Sequence, residues 1–305
     1  MKRTSLIPAA LVAALALAAC GGGDDPLAES ADGGQTGGAG EVIVGSANFP
    51  GNVLLAEVYA AALEDAGVSV TKRLNIGSRE TYVAGLEDGS IDLMPEYTGA
   101  LNLYFDPETD ASDPQEIYDN LVENLPDGLT VLEPAEAEDK DSIVVTPETA
   151  EELGLTSIAD LAPHAPNLVL GGPPEFADRF TGVPGLKEVY GLEFASFRPL
   201  QAGSNLTVQA LLNGQVDAAN IFTADPSIAE NNLVVLEDPE NLFAAQNIVP
   251  VIRTDALNDT VESTLNAVSG ALTTDALSAL MSRVVTDGED PAVVARDFVD
   301  NELGG

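Results

Sequence analysis

The sequence predicts an α/β protein of mainly parallel sheets with helices on both faces. Three observations carry this. Short β-branched, apolar runs alternate with segments of helical spacing along nearly the whole body, the pattern of strand–helix–strand units. The chain has 305 residues, a length that suggests about two domains. One pattern also recurs. Val83-Ala-Gly-Leu-Glu-Asp-Gly89-Ser-Ile-Asp92 and Val208-Gln-Ala-Leu-Leu-Asn-Gly214-Gln-Val-Asp217 each read as a helix end, a glycine stop, then a β-branched residue and an Asp opening a strand. Two similarly built lobes would produce that echo, and so would chance in so short a pattern.

The elements follow in order. Lys2 and Arg3 form a basic start, Leu6 to Ala19 an apolar run, and Leu17-Ala-Ala-Cys20 is followed by three glycines. This reads as a secretory signal peptide over 1–19, too short for a transmembrane helix. Small residues before the single cysteine resemble a bacterial lipobox, which implies lipidation of Cys20 and anchoring by two or more acyl chains. Residues 20–40 are then a Gly/Asp-rich tether that cannot support a core. In the body, Glu41-Val-Ile-Val-Gly45 predicts a strand, and 51–66 a helix with Asn52 as N-cap and Gly67 as stop. A strand over 68–74, a helix over 78–88 and a strand at 91–94 complete the first run. Further strands are predicted near 142–146, 167–171, 195–199, 216–222, 233–236 and 248–252, with helices between them, and 258–303 reads as helical only.

Twelve Lys+Arg stand against 50 Asp+Glu, a net charge of −38. Such a surface repels phosphate backbones, which excludes nucleic-acid binding, and it has no basic face for anionic lipid. The acidity serves solubility, or reflects high external salt that screens the self-repulsion. With Cys20 assigned to the anchor no thiol remains, so neither a disulfide nor a cysteine nucleophile is available. His164 is the single histidine and sits in a proline-bracketed loop, so no Ser–His–Asp triad and no histidine metal cluster is expected. Neither a P-loop nor G-x-S-x-G is present. The aspartates of 110–113 and 139–141 lack the spacing and glycine of a calcium loop. No enzyme, cofactor or metal is predicted.

An ordered series of short motifs remains: Gly45-Ser-Ala-Asn-Phe49; Pro95-Glu-Tyr-Thr-Gly99; Ala150-Glu-Glu-Leu-Gly154 with Ser157-Ile-Ala-Asp-Leu161; Glu175-Phe176 with Arg179; Gly182-x-x-Gly185-Leu186; Gly214-Gln-Val-Asp217; Pro250-Val-Ile-Arg253. Over residues 41–303 this series resembles the substrate-binding proteins of osmoprotectant ABC importers, the glycine betaine/carnitine/choline-binding family. The resemblance implies a bilobed, periplasmic-binding-protein-like (type II) Venus-flytrap. Lobe 1 would be 41–143 plus 252–305, lobe 2 would be 144–251, and strands near 143–147 and 247–252 would form a hinge. It implies a monomer on the outer face of the membrane that captures a small osmolyte and delivers it to an ABC permease and its ATPase subunit.

A quaternary ammonium has no N–H groups, so aromatic faces must recognise it, while a carboxylate tail would call for Arg, amides and hydroxyls. The resemblance assigns Tyr97 to the cage with Thr98 beside it, Phe222 to an aromatic position of lobe 2, and Arg179 to a ligand carboxylate. Asn48 and Ser46 fall on the loop after the first strand. Two departures stand out. Asp139-Lys140-Asp141 replaces a family tyrosine, which suggests Asp139 or Asp141 as counter-charge. Gln246-Asn247 replaces a tyrosine pair, which suggests a more polar ligand as the alternative, an amino-acid-like or heteroaromatic betaine. The chain has no Trp, so the matching positions do not assemble a full aromatic box.

Overall fold

The computed structural model describes residues 40–304; the signal peptide, Cys20 and the tether up to residue 39 lie outside the described residues. Two five-stranded sheets form two lobes. The first contains β1 (Glu41–Gly45), β2 (Ser69–Arg73), β3 (Leu93–Tyr97), β4 (Leu129–Val131) and β10 (Ile248–Arg253), in the order β2-β1-β3-β10-β4. The second contains β5 (Ile143–Val145), β6 (Val169–Gly172), β7 (Ser196–Pro199), β8 (Ala218–Asn220) and β9 (Val234–Val235), in the order β7-β6-β8-β5-β9. β2, β1 and β3 run parallel, and β10 opposes both of its neighbours. β7, β6 and β8 run parallel, and β5 opposes β8 and β9. In each sheet the antiparallel strand is thus the one whose chain arrives from the other lobe.

α1 (Pro50–Asp65) is buried on nearly all sides, from Leu54 and Leu55 to Leu63, and so reads as apolar all round rather than as one stripe. It packs in the first lobe's main core with the helices Asp259–Ala271 and Pro291–Glu302. The opposite face of that sheet is covered by α2 (Arg79–Asp88), α3 (Thr98–Phe105) and α4 (Pro114–Asn124) through Leu86, Leu101 and Leu121. The second sheet is likewise covered on two sides, by one core around Ile143, Phe176 and Leu186 and another around Val208, Leu211 and Val216. Among the described residues no helix is long and apolar enough to cross a membrane.

The sequence echo is a repeated structural device. Asp92 Oδ2 accepts the Ile43 N–H at 2.8 Å, and Asp217 Oδ2 accepts the Val169 N–H at 2.7 Å. Each Asp also donates its own N–H to the same residue's carbonyl. Gly89 and Gly214 adopt φ of 82° and 64°, the left-handed turn that lets the chain reverse into the strand. In both lobes the carboxylate at the entry of the third parallel strand thereby ties it to the parallel strand beside it. Asp217→Ala leaves the Val169 N–H without its partner, a loss of about 1–3 kcal/mol, read by urea unfolding.

Two expectations are corrected, and one segment is new. Asn52 does not cap α1; Phe49 holds the N-cap position, and Asn52 lies inside the first turn, fully buried. Its Oδ1 accepts the Ala47 N–H at 2.7 Å and its Nδ2 donates to the Pro95 carbonyl at 2.9 Å, joining the loop after β1 to β3. The crossing segments lie N-terminal to the expected ones. Ile143–Val145 and Ile248–Arg253 are strands within the lobes' own sheets, because their continuous apolar runs are buried on both faces. The chain passes between sheets over 132–142 and 236–247, where Glu138 and Asn247 form an isolated antiparallel bridge. α3, α4 and β4 were not predicted; they fill 98–131 and complete the first lobe.

Candidate binding site in the interlobe cleft

A cavity lies between the lobes at the carboxyl ends of β1, β3, β6 and β8, the usual place for a ligand in α/β sheets. It holds about 80 Å³ of water-accessible space. At roughly 10–15 Å³ per water on that measure, this is room for a compact solute. Of the expected residues it is lined by Asn48, Tyr97, Asp139, Asp141, Arg179, Phe222 and Gln246. Phe49, Arg79, Tyr82, Glu175, Phe176 and Thr181 line it as well.

The aromatic wall is fuller than the sequence suggested. Phe49, at the N-cap of α1, stands between the lobes: its ring centroid is 6.2 Å from Tyr97, stacked at 30°, and 5.3 Å from Phe222 at 44°. Phe176 adds a fourth face from lobe 2, itself stacked on Phe197 and Phe243 at 6.4 Å each. Both Phe49 and Phe176 sit inside motifs that sequence analysis singled out, but spacing alone did not show which way their rings turn. Tyr97 is buried, and its hydroxyl has no hydrogen-bond partner. Burial, and then the charge of Asp139, push that hydroxyl's pKa well above its ordinary value.

Three carboxylates line the same space without a salt bridge among the described residues: Asp139, Asp141 and Glu175. Asp139 is buried on the crossing segment, and its Oδ1 accepts the Ala224 N–H at 2.9 Å. Burial raises its pKa to about 7; the Ala224 N–H opposes the rise, and Asp225 and Asp141 add to it. Asp141 Oδ1 accepts from Asn220 Nδ2 at 2.8 Å, yet burial still raises its pKa. One oxygen of Glu175 is buried with no partner. Among the described residues no group of acidic, His or Cys side chains is arranged to hold a metal.

Both cavity arginines are already engaged. Arg79 Nε and Nη2 donate to the Glu96 carboxylate at 2.9 and 2.8 Å, and Tyr82 Oη donates to the same carboxylate at 2.6 Å. Burial opposes the guanidinium charge, but Glu96 outweighs it and raises the Arg79 pKa. Arg179 reaches across the cleft. Its Nε and Nη2 donate to Glu80 of the first lobe at 3.0–3.1 Å. The resemblance assigns Arg179 to a ligand carboxylate; it lines the cavity, and in this structure its fork holds Glu80.

Three other expected residues do not line the cavity. Ser46 is fully buried below it, where its Oγ accepts the Asn75 N–H at 2.8 Å. Thr98 Oγ1 accepts the Asn247 N–H at 3.1 Å and donates to the Ala245 carbonyl. Asn247 Nδ2 donates to the carbonyls of Ala135 and Glu136 at 3.0 and 3.3 Å. Thr98 and Asn247 thus pin the crossing segments to each other and to α3. Gln246 does line the cavity, with its Oε1 held by the Ala100 N–H at 2.9 Å.

Residues 40–301 match the family of the substrate binding domain of ABC-type glycine betaine transport systems. The chain is 27% identical over 275 residues to the glycine betaine-binding protein YehZ of Escherichia coli, covering 86% of this chain and 90% of that protein. It is 28% identical over 270 residues to a glycine-betaine-binding protein of Pseudomonas aeruginosa, covering 84% and 86%. A crystal structure described as a glycine betaine/carnitine/choline ABC transporter superposes with a TM-score of 0.69 at 24% identity, over 86% of this chain and 98% of the other, which establishes the type II bilobed fold. The chain belongs to the family of substrate-binding domains of ABC-type glycine betaine transport systems, and it is a binding protein rather than an enzyme.

Proposed function

We propose that this protein captures a compact quaternary ammonium cation in the interlobe cleft, as the extracytoplasmic receptor of an ABC importer, held at the membrane through Cys20 and acting as a monomer. The observation that carries the ligand class is the joint presence of aromatic faces from Phe49, Tyr97, Phe222 and Phe176 and three carboxylates without salt bridges. An aromatic face attracts a cation that offers no hydrogen-bond donor, by about 2 kcal/mol or more once desolvated. A fixed carboxylate nearby strengthens that attraction in a low-dielectric cleft. The unpartnered Glu175 oxygen and Tyr97 hydroxyl suit a ligand's polar end, such as the hydroxyl of choline. Choline and glycine betaine are the two ligands that separate a bare cation from a zwitterion. The polar alternative was motivated by residues 246–247, and here Asn247 is turned into the hinge while the Gln246 carbonyl is occupied by Ala100.

Isothermal titration with choline, glycine betaine, carnitine, ergothioneine and a set of amino acids tests this. The expected result is saturable binding of choline ahead of every zwitterion. Binding of an amino acid in preference to all quaternary ammonium compounds contradicts it.

The reading also fixes a pH dependence. Asp139 is only partly ionised near its raised pKa of about 7, and a bound cation favours its ionised form. Choline affinity is therefore expected to rise from about pH 6 to about pH 8, with proton release on binding that shows as a buffer-dependent titration enthalpy. Asp139→Asn should flatten the profile. In the unliganded protein the sign is opposite. A carboxyl with a raised folded pKa holds its proton when the unfolded chain has lost it, so its contribution to stability falls as pH rises from about 4 to about 7.

A further inference from the structure

The two cavity arginines differ in how firmly they are held. Arg79 is buried, and its fork is closed on a fully buried Glu96. Arg179 is partly exposed, and its partner Glu80 is about half exposed, with side chains 34% and 49% accessible. The Arg179–Glu80 pair has the forked geometry by which guanidinium recognises a ligand carboxylate. Glu80 lies in the first turn of α2, and Ser78 Oγ donates to its Oε2 at 2.6 Å, which fixes the carboxylate toward lobe 2. Because the pair is part-exposed at the cleft, a ligand carboxylate can reach the same guanidinium and must compete there with Glu80.

We infer that Glu80 is a specificity-determining residue: it supplies in cis the carboxylate that a zwitterionic ligand would otherwise bring to Arg179, and so turns a betaine-type cleft into one selective for a bare cation. The inference rests on the functional reading above. The bridge leaves the cleft's remaining charges as the carboxylates of Asp139, Asp141 and Glu175, which attract an ammonium head and repel a carboxylate tail. The same bridge joins the lobes, so bare-cation binding closes the cleft on a contact the chain makes for itself. A zwitterion would have to break that contact before Arg179 could receive it.

Glu80→Gln keeps the side-chain shape and the exposed position and removes the charge. Titration of wild type and Glu80→Gln with choline and glycine betaine should show the choline preference of the wild type shifting at least about tenfold toward glycine betaine, with tighter glycine betaine binding in absolute terms. In an Arg179→Gln background the same Glu80→Gln change should leave the ratio unmoved, because its effect passes through the freed guanidinium. Choline binding to both proteins with an unchanged ratio overturns the inference while leaving the functional reading in place. Failure of choline to bind either protein overturns both.

Discussion

Phe49→Ala should abolish most ligand binding while leaving the fold intact. Among the described residues Phe49 is the one ring that meets aromatic partners from both lobes, Tyr97 at 6.2 Å and Phe222 at 5.3 Å. Its loss removes a cation–π face worth about 0.5–2 kcal/mol and two aromatic pairs of about 0.5–1.5 kcal/mol each. Choline affinity should fall at least about tenfold by titration calorimetry. The ring is partly buried and its backbone sits at the helix N-cap, so the unliganded protein should stay folded but lose the two aromatic pairs, together about 1–3 kcal/mol, read as a lower urea midpoint. Tyr97→Phe is the companion. Its hydroxyl has no protein partner, so its removal should cost the unliganded protein little and change affinity only through the ligand's polar end.

Arg79→Met should cost more stability than any other single change in the cleft. The substitution leaves Glu96 fully buried, with only the Tyr82 hydroxyl and the Tyr97 N–H at 3.0 Å to hold its charge. Breaking a buried pair from one side typically costs about 3–5 kcal/mol. The Arg79→Met/Glu96→Gln double variant should recover a substantial part of that loss, because no uncompensated charge remains. Equal stability of the single and double variants, measured by urea unfolding, would show that the pair's role is packing rather than charge. Ligand binding should weaken in both, since Arg79 and Tyr82 form one wall of the cavity.

Much of the fold is legible because each buried strand carries its own signature. Ile143 to Val145 and Ile248 to Ile252 are continuous apolar runs buried on both faces, Val42 and Val44 form the buried face of β1, and glycines at 67, 89, 154, 191 and 214 close helices between strands. Between 98 and 131, α4 had a readable start in Asp113-Pro114 with Ile117 and Leu121 at helical spacing, which sequence analysis passed over, while α3 and β4 were illegible for a physical reason. β3 passes into α3 between Tyr97 and Thr98 with no breaker and no side-chain cap, and β4 has only three residues. The hinge was displaced for a related reason: the strands flanking it look like crossing strands in sequence, but their pairing partners lie within one lobe.

The site divides in the same way. Tyr97 and Phe222, assigned by the resemblance, and the aspartates at 139 and 141, which depart from it, all line the cavity. Phe49 and Phe176 were missed because neighbouring loops set the direction of their rings. Arg79 had an available signal. Glu96 is a carboxylate within a strand whose every residue is buried, and a buried carboxylate needs a partner cation from elsewhere in the fold. The role of Arg179 could not be read from sequence, since its partner Glu80 is 99 residues away in the other lobe.

The central claim is that charge, and not shape alone, selects the ligand. The most direct measurement compares choline with 3,3-dimethyl-1-butanol, which has the same outline with carbon in place of the charged nitrogen. With aromatic faces and the three carboxylates acting on the charge, choline should bind at least about 30-fold more tightly. Equal affinity for the two compounds would contradict the account.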